Sequence, residues 1–179
     1  AYVILVEVLT DEGITGYGEC VGTPTATGVQ AFIAEAARFL VGHDPFSNAR
    51  LMAGAYHALF QERGTCSSPR FAGQIFAGME MALWDIMGKA TGRPVHALLG
   101  GAVRDEICYF GFPQGETPDE IAAEARQFAA DGHDIIYVKV GKDDATDLAI
   151  VRQVREAIGP DRRLRLDPNE HWNPLAASR

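Results

Sequence analysis

What the 179-residue sequence lacks narrows its class before anything it contains is considered. It has no apolar run approaching the roughly 20 residues of a membrane-spanning helix, and no stretch that reads as a secretory leader. Those absences predict a cytoplasmic chain with no membrane partner. Cationic residues are in deficit, with 16 Lys and Arg against 24 Asp and Glu and a formal net charge of −8. Nucleic-acid binding draws on clustered Lys and Arg, so nucleic acid is not an expected partner. An anionic small molecule stays open, because a bound cation can reverse the local field. Cys20, Cys66 and Cys108 are odd in number and widely spaced, without the pairing of a zinc site, and read as reduced structural thiols.

What is present is ordinary for a globular chain: 47% hydrophobic and 22% charged residues. Tyr2–Thr10 and Ile14–Glu19 read as two strands of a hairpin around Asp11-Glu12-Gly13. Three amphipathic helices follow, over about 28–41, 47–62 and 71–90, the last burying Ile75, Met79, Ala82, Leu83 and Ile86. From Glu106 the pattern changes to strands alternating with helices. A strand is expected over 107–112 and a helix from the capping box Thr117-Pro118-Asp119-Glu120, with Ile121, Ala125, Phe128 and Ala129 inward. The next strand is Ile135–Gly141, followed by a helix with Leu148, Val151, Val154 and Ile158 inward, then a strand at Arg163–Asn169. Such alternation means βαβ units and a parallel sheet, closed or open, with functional groups at the strands' C-terminal ends. No glycine-rich phosphate loop follows the first of these strands.

Along Ile135–Gly141, side chains alternate, so Ile136, Val138 and Val140 form an apolar face while Ile135, Tyr137 and Lys139 share the other. On the next strand Arg165, Asp167 and Asn169 share one face. A lysine and a carboxylate at the ends of consecutive strands suggest an active site. Taken singly, Lys139 also reads as a strand-end lysine snorkelling to water, and Asp167 before Pro168 as the start of a turn.

Five ordered blocks resemble the mandelate racemase/muconate lactonizing enzyme family of the enolase superfamily. They are Leu5-Val6-Glu7 through Gly16-Tyr17-Gly18-Glu19, Gly78 to Lys89, Pro94 to Gly101, Val138-Lys139-Val140-Gly141, and Leu166-Asp167-Pro168-Asn169-Glu170. The resemblance implies an α+β N-terminal capping domain over 1–101, its first strand missing. The start of a modified (β/α) TIM-type barrel over 102–179 would follow, truncated after about three strands. Both ends are accordingly expected to be cut, and the fragment to be inactive alone. Lys139 matches the second lysine of the family's Lys-x-Lys motif, a general base. Tyr137 stands where the first lysine often is, and offers a hydrogen bond but no charge. Asp167 matches the first of three acidic Mg²⁺ ligands and Asn169 a polar substrate contact. Glu170, Thr23 and Thr25 are further expected substrate contacts, the threonines from a specificity loop over 22–27.

The implied chemistry is Mg²⁺-dependent removal of the proton α to a carboxylate through an enediolate. Dehydration of a sugar acid or hydroxylated amino acid leads, with racemisation, epimerisation or cycloisomerisation beside it. A lysine base must be partly neutral near pH 7, so an apolar lining and a nearby metal are expected to lower its pKa. A small carboxylate substrate and a homo-oligomer are the expected partners. A non-catalytic α/β binding or scaffold protein is the alternative from another class.

Overall fold

The expected hairpin forms: β1 (Val3–Leu9) pairs antiparallel with β2 (Thr15–Val21), with Val6 opposite Gly18. Thr10 closes the turn, its hydroxyl donating to the Ile14 carbonyl at 2.9 Å and accepting from the Ile14 N–H at 3.0 Å. Strand alternation turns Ile4, Val6 and Cys20 inward and leaves Val3, Leu5 and Leu9 exposed. The computed structural model describes residues 2–61 and 69–178, so Cys66 and nearly all of the loop expected over 63–69 lie outside it. The chain divides into two units, 1–103 and 104–179.

In the first unit, α1 (Ala26–Ala37) starts two residues earlier than expected, because Thr25 caps it by accepting from Gly28 N–H at 3.1 Å. The second helix is broken into three pieces. A 3₁₀ turn over Pro45–Ser47 is capped by Asp44, α2 covers Asn48–Tyr56, and a wider π turn covers His57–Gln61. The wide turn holds Phe60, buried, against the rings of Tyr56, Phe32 and Phe76 at 5.6, 6.0 and 5.9 Å. The long helix α3 (Pro69–Thr91) buries Ile75, Met79, Ala82, Leu83 and Ile86 as its spacing predicts. A short helix, α4 (Val95–Leu98), follows.

Strand β2 and helix α3 meet backbone to backbone. A Cβ on Gly18 would overlap the Gly78 carbonyl, one on Gly16 the Ala82 carbonyl, and one on Gly78 the Cys20 sulfur. The contact is fastened by Asp85, which accepts from Tyr17 N–H at 2.9 Å and from Lys89 Nζ at 2.7 Å, while Lys89 also donates to the Thr15 carbonyl at 2.7 Å. Two of the resemblance blocks, Gly16 to Gly18 and Gly78 to Lys89, are therefore one packing interface.

In the second unit, β3 (Ile135–Lys139) pairs parallel with β4 (Arg163–Asp167), and Gly111 adds one parallel bridge on the other edge of β3, at Ile136. Helices α5 (Pro118–Ala130) and α6 (Asp144–Ile158) supply the crossovers. The capping box at Thr117 and Glu120 is present in both halves. Ile136, Val138 and Val140 are buried together with Ile121, Ala125, Ala129, Ile150, Val154 and Ile158.

Three further expectations are corrected. The strand over 107–112 contributes only Gly111 to the ladder, bonding Ile135 O and Tyr137 N. The Tyr109 carbonyl lies 3.0 Å from the His133 ring nitrogen instead, and Pro113 has no N–H to give. On α6, Leu148 is 51% exposed and Ile150 takes its place in the core, because the buried stripe runs Asp147, Ile150, Val154, Ile158. Of the described cysteines, Cys20 is buried with its thiol donating to the Ile75 carbonyl, whereas Cys108 is exposed and has no buried structural role. No described helix is long and apolar enough to cross a membrane.

Two glycine substitutions should have opposite signs. Gly18→Ala should cost on the order of 1–3 kcal/mol through overpacking. Gly54→Ala, inside α2 where an added Cβ meets nothing within 4 Å, should stabilise by about 0.4–1 kcal/mol. Urea unfolding measures both.

Acid should also weaken the second unit in a defined window. Glu120 accepts from the Thr117 and Glu116 N–H groups, and Asp143, which caps α6, accepts from Thr146. These bonds hold the two carboxyls below their ordinary values of 4.5 and 3.8. A lowered carboxyl contributes stability that is complete above the ordinary value and lost as pH falls through the folded one. The urea midpoint should therefore fall below pH 4.5, and fall less in a Glu120→Gln, Asp143→Asn double variant.

Candidate active site at the ends of two parallel strands

Register alone brings the first two groups together, since Lys139 is the ladder partner of Asp167. Both side chains leave the same face of the sheet at its C-terminal edge, and Lys139 Nζ reaches Asp167 Oδ2 at 2.5 Å. Tyr137, two residues back on β3, points to the same face, and its hydroxyl donates to that same oxygen. Its ring is held by Phe110 and Phe112, with centroids 4.8 and 5.1 Å away. The other Asp167 oxygen, Oδ1, accepts the Asn169 N–H at 2.9 Å.

Asn169 reaches the cluster by a route that strand alternation does not describe. The strand stops at Asp167, and Asn169 and Glu170 both adopt left-handed backbone, with φ of 47° and 67°. Two consecutive non-glycine residues in that region are uncommon and mark a tightly determined turn. The turn carries the Asn169 Oδ1 back to 3.1 Å from Lys139 Nζ. Glu170 lies in the same turn and is exposed. Thr23 and Thr25 belong to the other unit, Thr23 preceding a cis Pro24 and Thr25 serving as the cap of α1.

Without metal, the electrostatics of the pair run opposite to those expected with metal bound. Hydrogen bonding to Asp167, and secondarily to Tyr137, raises the Lys139 pKa above its ordinary value rather than lowering it. The side chain is 43% exposed, so desolvation is too weak to oppose those bonds. Asp167 moves the opposite way: Lys139, then Tyr137 and the Asn169 N–H, hold its carboxyl well below the usual range. In this state the pair is a protonated lysine on an ionised aspartate.

Asp167 and Asn169 offer hard oxygen atoms of the kind that magnesium prefers, and magnesium commonly takes only one or two carboxylates, with water and substrate completing its octahedron. Among the described residues no group of three or more His, Cys, Asp or Glu side chains is arranged to hold a metal ion. The donor set therefore fits one side of a magnesium site.

Sequence reasoning missed Asp147. It is 4% exposed and accepts from the N–H groups of Gly141 and Lys142 and from the Trp172 indole, directly beneath the cluster's loops. The signal was available, since Asp147 stands three residues before Ile150 on the buried stripe of α6.

A parallel β/α sheet with its polar groups at the strand C-termini is the arrangement of barrel enzymes. Residues 1–100 match the model described as mandelate racemase / muconate lactonizing enzyme, N-terminal domain, and 120–179 the one described as enolase C-terminal domain-like. The chain belongs to the mandelate racemase/muconate lactonizing enzyme family of the enolase superfamily. Its architecture is that family's N-terminal cap followed by the start of the barrel.

Among its relatives, it is 35% identical to D-galactarolactone cycloisomerase of Agrobacterium fabrum, over 97% of this chain and 46% of that protein. It is 32% identical to cis-3-hydroxy-L-proline dehydratase of Roseibium aggregatum, over 98% of this chain and 47% of that one. Dipeptide epimerase from Cytophaga hutchinsonii, solved with Mg and the dipeptide D-Ala-L-Val, superposes with a TM-score of 0.80 at 26% identity. That match covers 98% of this chain and 46% of the epimerase. The chain thus spans under half the length of the proteins it matches.

Proposed function

We propose that the protein carrying this chain removes the proton α to the carboxylate of a small hydroxy acid, with Lys139 as general base and Asp167 as a magnesium ligand. The observation that carries the reading is the convergence of Lys139 Nζ and Tyr137 Oη on one oxygen of Asp167 at the C-terminal ends of adjacent parallel strands. A carbon acid of this kind loses its proton only if the enediolate that forms is stabilised as the proton leaves. Magnesium, when bound, supplies positive charge for that purpose at the substrate's carboxylate.

The chain's own residues do the rest. Lys139 takes the proton at Nζ and must first release to solvent the one that its bonds to Asp167 and Tyr137 now stabilise. Tyr137, fixed between Phe110 and Phe112, holds the Asp167 carboxylate in place and offers a neutral donor where the Lys-x-Lys motif that this stretch resembles would offer a second cation. Asn169 bridges the two, its N–H on Asp167 and its amide oxygen toward Lys139, which suits it to position the substrate as well.

Dehydration of a sugar acid or a hydroxylated amino acid is the leading overall reaction, supported by the likeness to the hydroxyproline dehydratase. Cycloisomerisation or epimerisation begins with the same proton transfer, and the likenesses to a sugar-lactone cycloisomerase and a dipeptide epimerase support it as the second reading.

The test is deuterium exchange from solvent into the α-carbon, with Mg²⁺, of a panel of sugar acids and hydroxylated amino acids. Lys139→Ala should abolish exchange in a protein that still binds Mg²⁺. Asp167→Asn should weaken Mg²⁺ binding in calorimetry. Tyr137→Phe should leave measurable exchange, slowed about 10–100-fold, as expected for a group that orients a ligand. Full exchange in Lys139→Ala would end the general-base assignment.

A further inference from the structure

Asp147 is the charged side chain that burial singles out among the described residues, and the chemistry above does not use it. A carboxylate is rarely buried without partners, and this one has three donors around it. Oδ1 accepts from Gly141 N–H at 2.9 Å and Lys142 N–H at 3.2 Å, while Oδ2 accepts from Gly141 N–H at 2.8 Å and Trp172 Nε1 at 3.3 Å. The first two donors lie just beyond Lys139, in the loop leaving β3. The third lies in the turn leaving β4, after Asp167 and Asn169. One carboxylate thus holds the exits of both strands.

The two exits are also in close contact. Val140 N–H donates to the Asp167 carbonyl at 3.1 Å, and His171 N–H closes its own turn on the Pro168 carbonyl at 2.9 Å. Gly141 has φ of 98°, and a Cβ there would come within 3.0 Å of His171 Cβ and of the Pro168 carbonyl oxygen. The loops can approach this closely only with glycine at 141, and only while something neutralises the two converging N–H groups at 141 and 142. Asp147 does so, from the rigid first turn of α6.

We infer that Asp147 is a positioning residue that latches the loop leaving β3 to the turn leaving β4, and so fixes the approach of Asn169 to the Lys139–Asp167 pair that the ladder sets. The assignment deepens the proposed function, on which its catalytic consequence rests. Asparagine at 147 offers one acceptor oxygen in place of two and turns an NH₂ toward backbone N–H donors, so the latch loosens without leaving an empty cavity.

The experiment takes the full-length protein and its Asp147→Asn variant. Crystal structures without metal should show the 3.1 Å contact between Lys139 Nζ and Asn169 Oδ1 lengthened beyond about 3.5 Å, with the sheet unchanged. With Mg²⁺ and an exchanging substrate, the α-proton exchange rate at saturation should fall about 10–100-fold, with KM within about threefold of the parent. Retention of that contact, or a loss confined to thermal stability with the exchange rate intact, would overturn the assignment. Should Asp147→Asn fail to fold, Trp172→Phe removes only the indole donor and should lengthen the same contact, and an unchanged contact there overturns it equally. A parent that neither binds Mg²⁺ nor exchanges α-protons would sink the proposed function, while the crystallographic distance would still judge Asp147.

Discussion

The second unit depends on the parallel register of β3 against β4. Pairing Ile135 with Arg163 makes Lys139 the neighbour of Asp167, and everything polar at that end follows from it. A slip of one residue would send the lysine to the apolar face, among Ile136, Val138 and the helices. The register is protected from that slip by the same apolar face, since Ile136 and Val138 are fully buried and leave no alternative pairing without exposing them. Packing beneath the sheet therefore specifies chemistry above it.

The legible parts were those governed by short-range rules. Alternation along β3 located Tyr137 and Lys139 on one face, and the Thr117 capping box fixed the start of α5. Asn169 was assigned to the right cluster for an incomplete reason: its side chain arrives through a left-handed turn after the strand has ended. The strand over 107–112 read as β from composition, yet ladder membership depends on which carbonyls are free. His133, distant in sequence, approaches one of them.

Long-range consequences were harder to read. The glycines at 16, 18 and 78 were recognisable as part of a family pattern, but nothing local says that they face one another across a strand and a helix. Asp147 was overlooked because a helix-first-turn aspartate is ordinarily a solvated cap, and only its three donors from two separate loops reveal otherwise. The Lys139 pKa is raised in the metal-free chain by its bonds to Asp167 and Tyr137, and the lining and the metal expected to lower it were inferred from the family resemblance, not from local pattern.

The Lys139–Asp167 contact also makes the two halves of the site thermodynamically interdependent. While they are joined, the lysine's charge is spent on the aspartate and the aspartate's on the lysine, so neither is free for a visitor. A cation that engages Asp167 must separate them, and bears that cost alone. An anion arriving afterwards at Lys139 finds the separation already made, and the same holds with the order reversed. Oppositely charged ligands should thus recruit one another, each raising the other's affinity by the same factor. On the proposed function, a pair that carries little net charge at rest would favour a cation and an anion bound together.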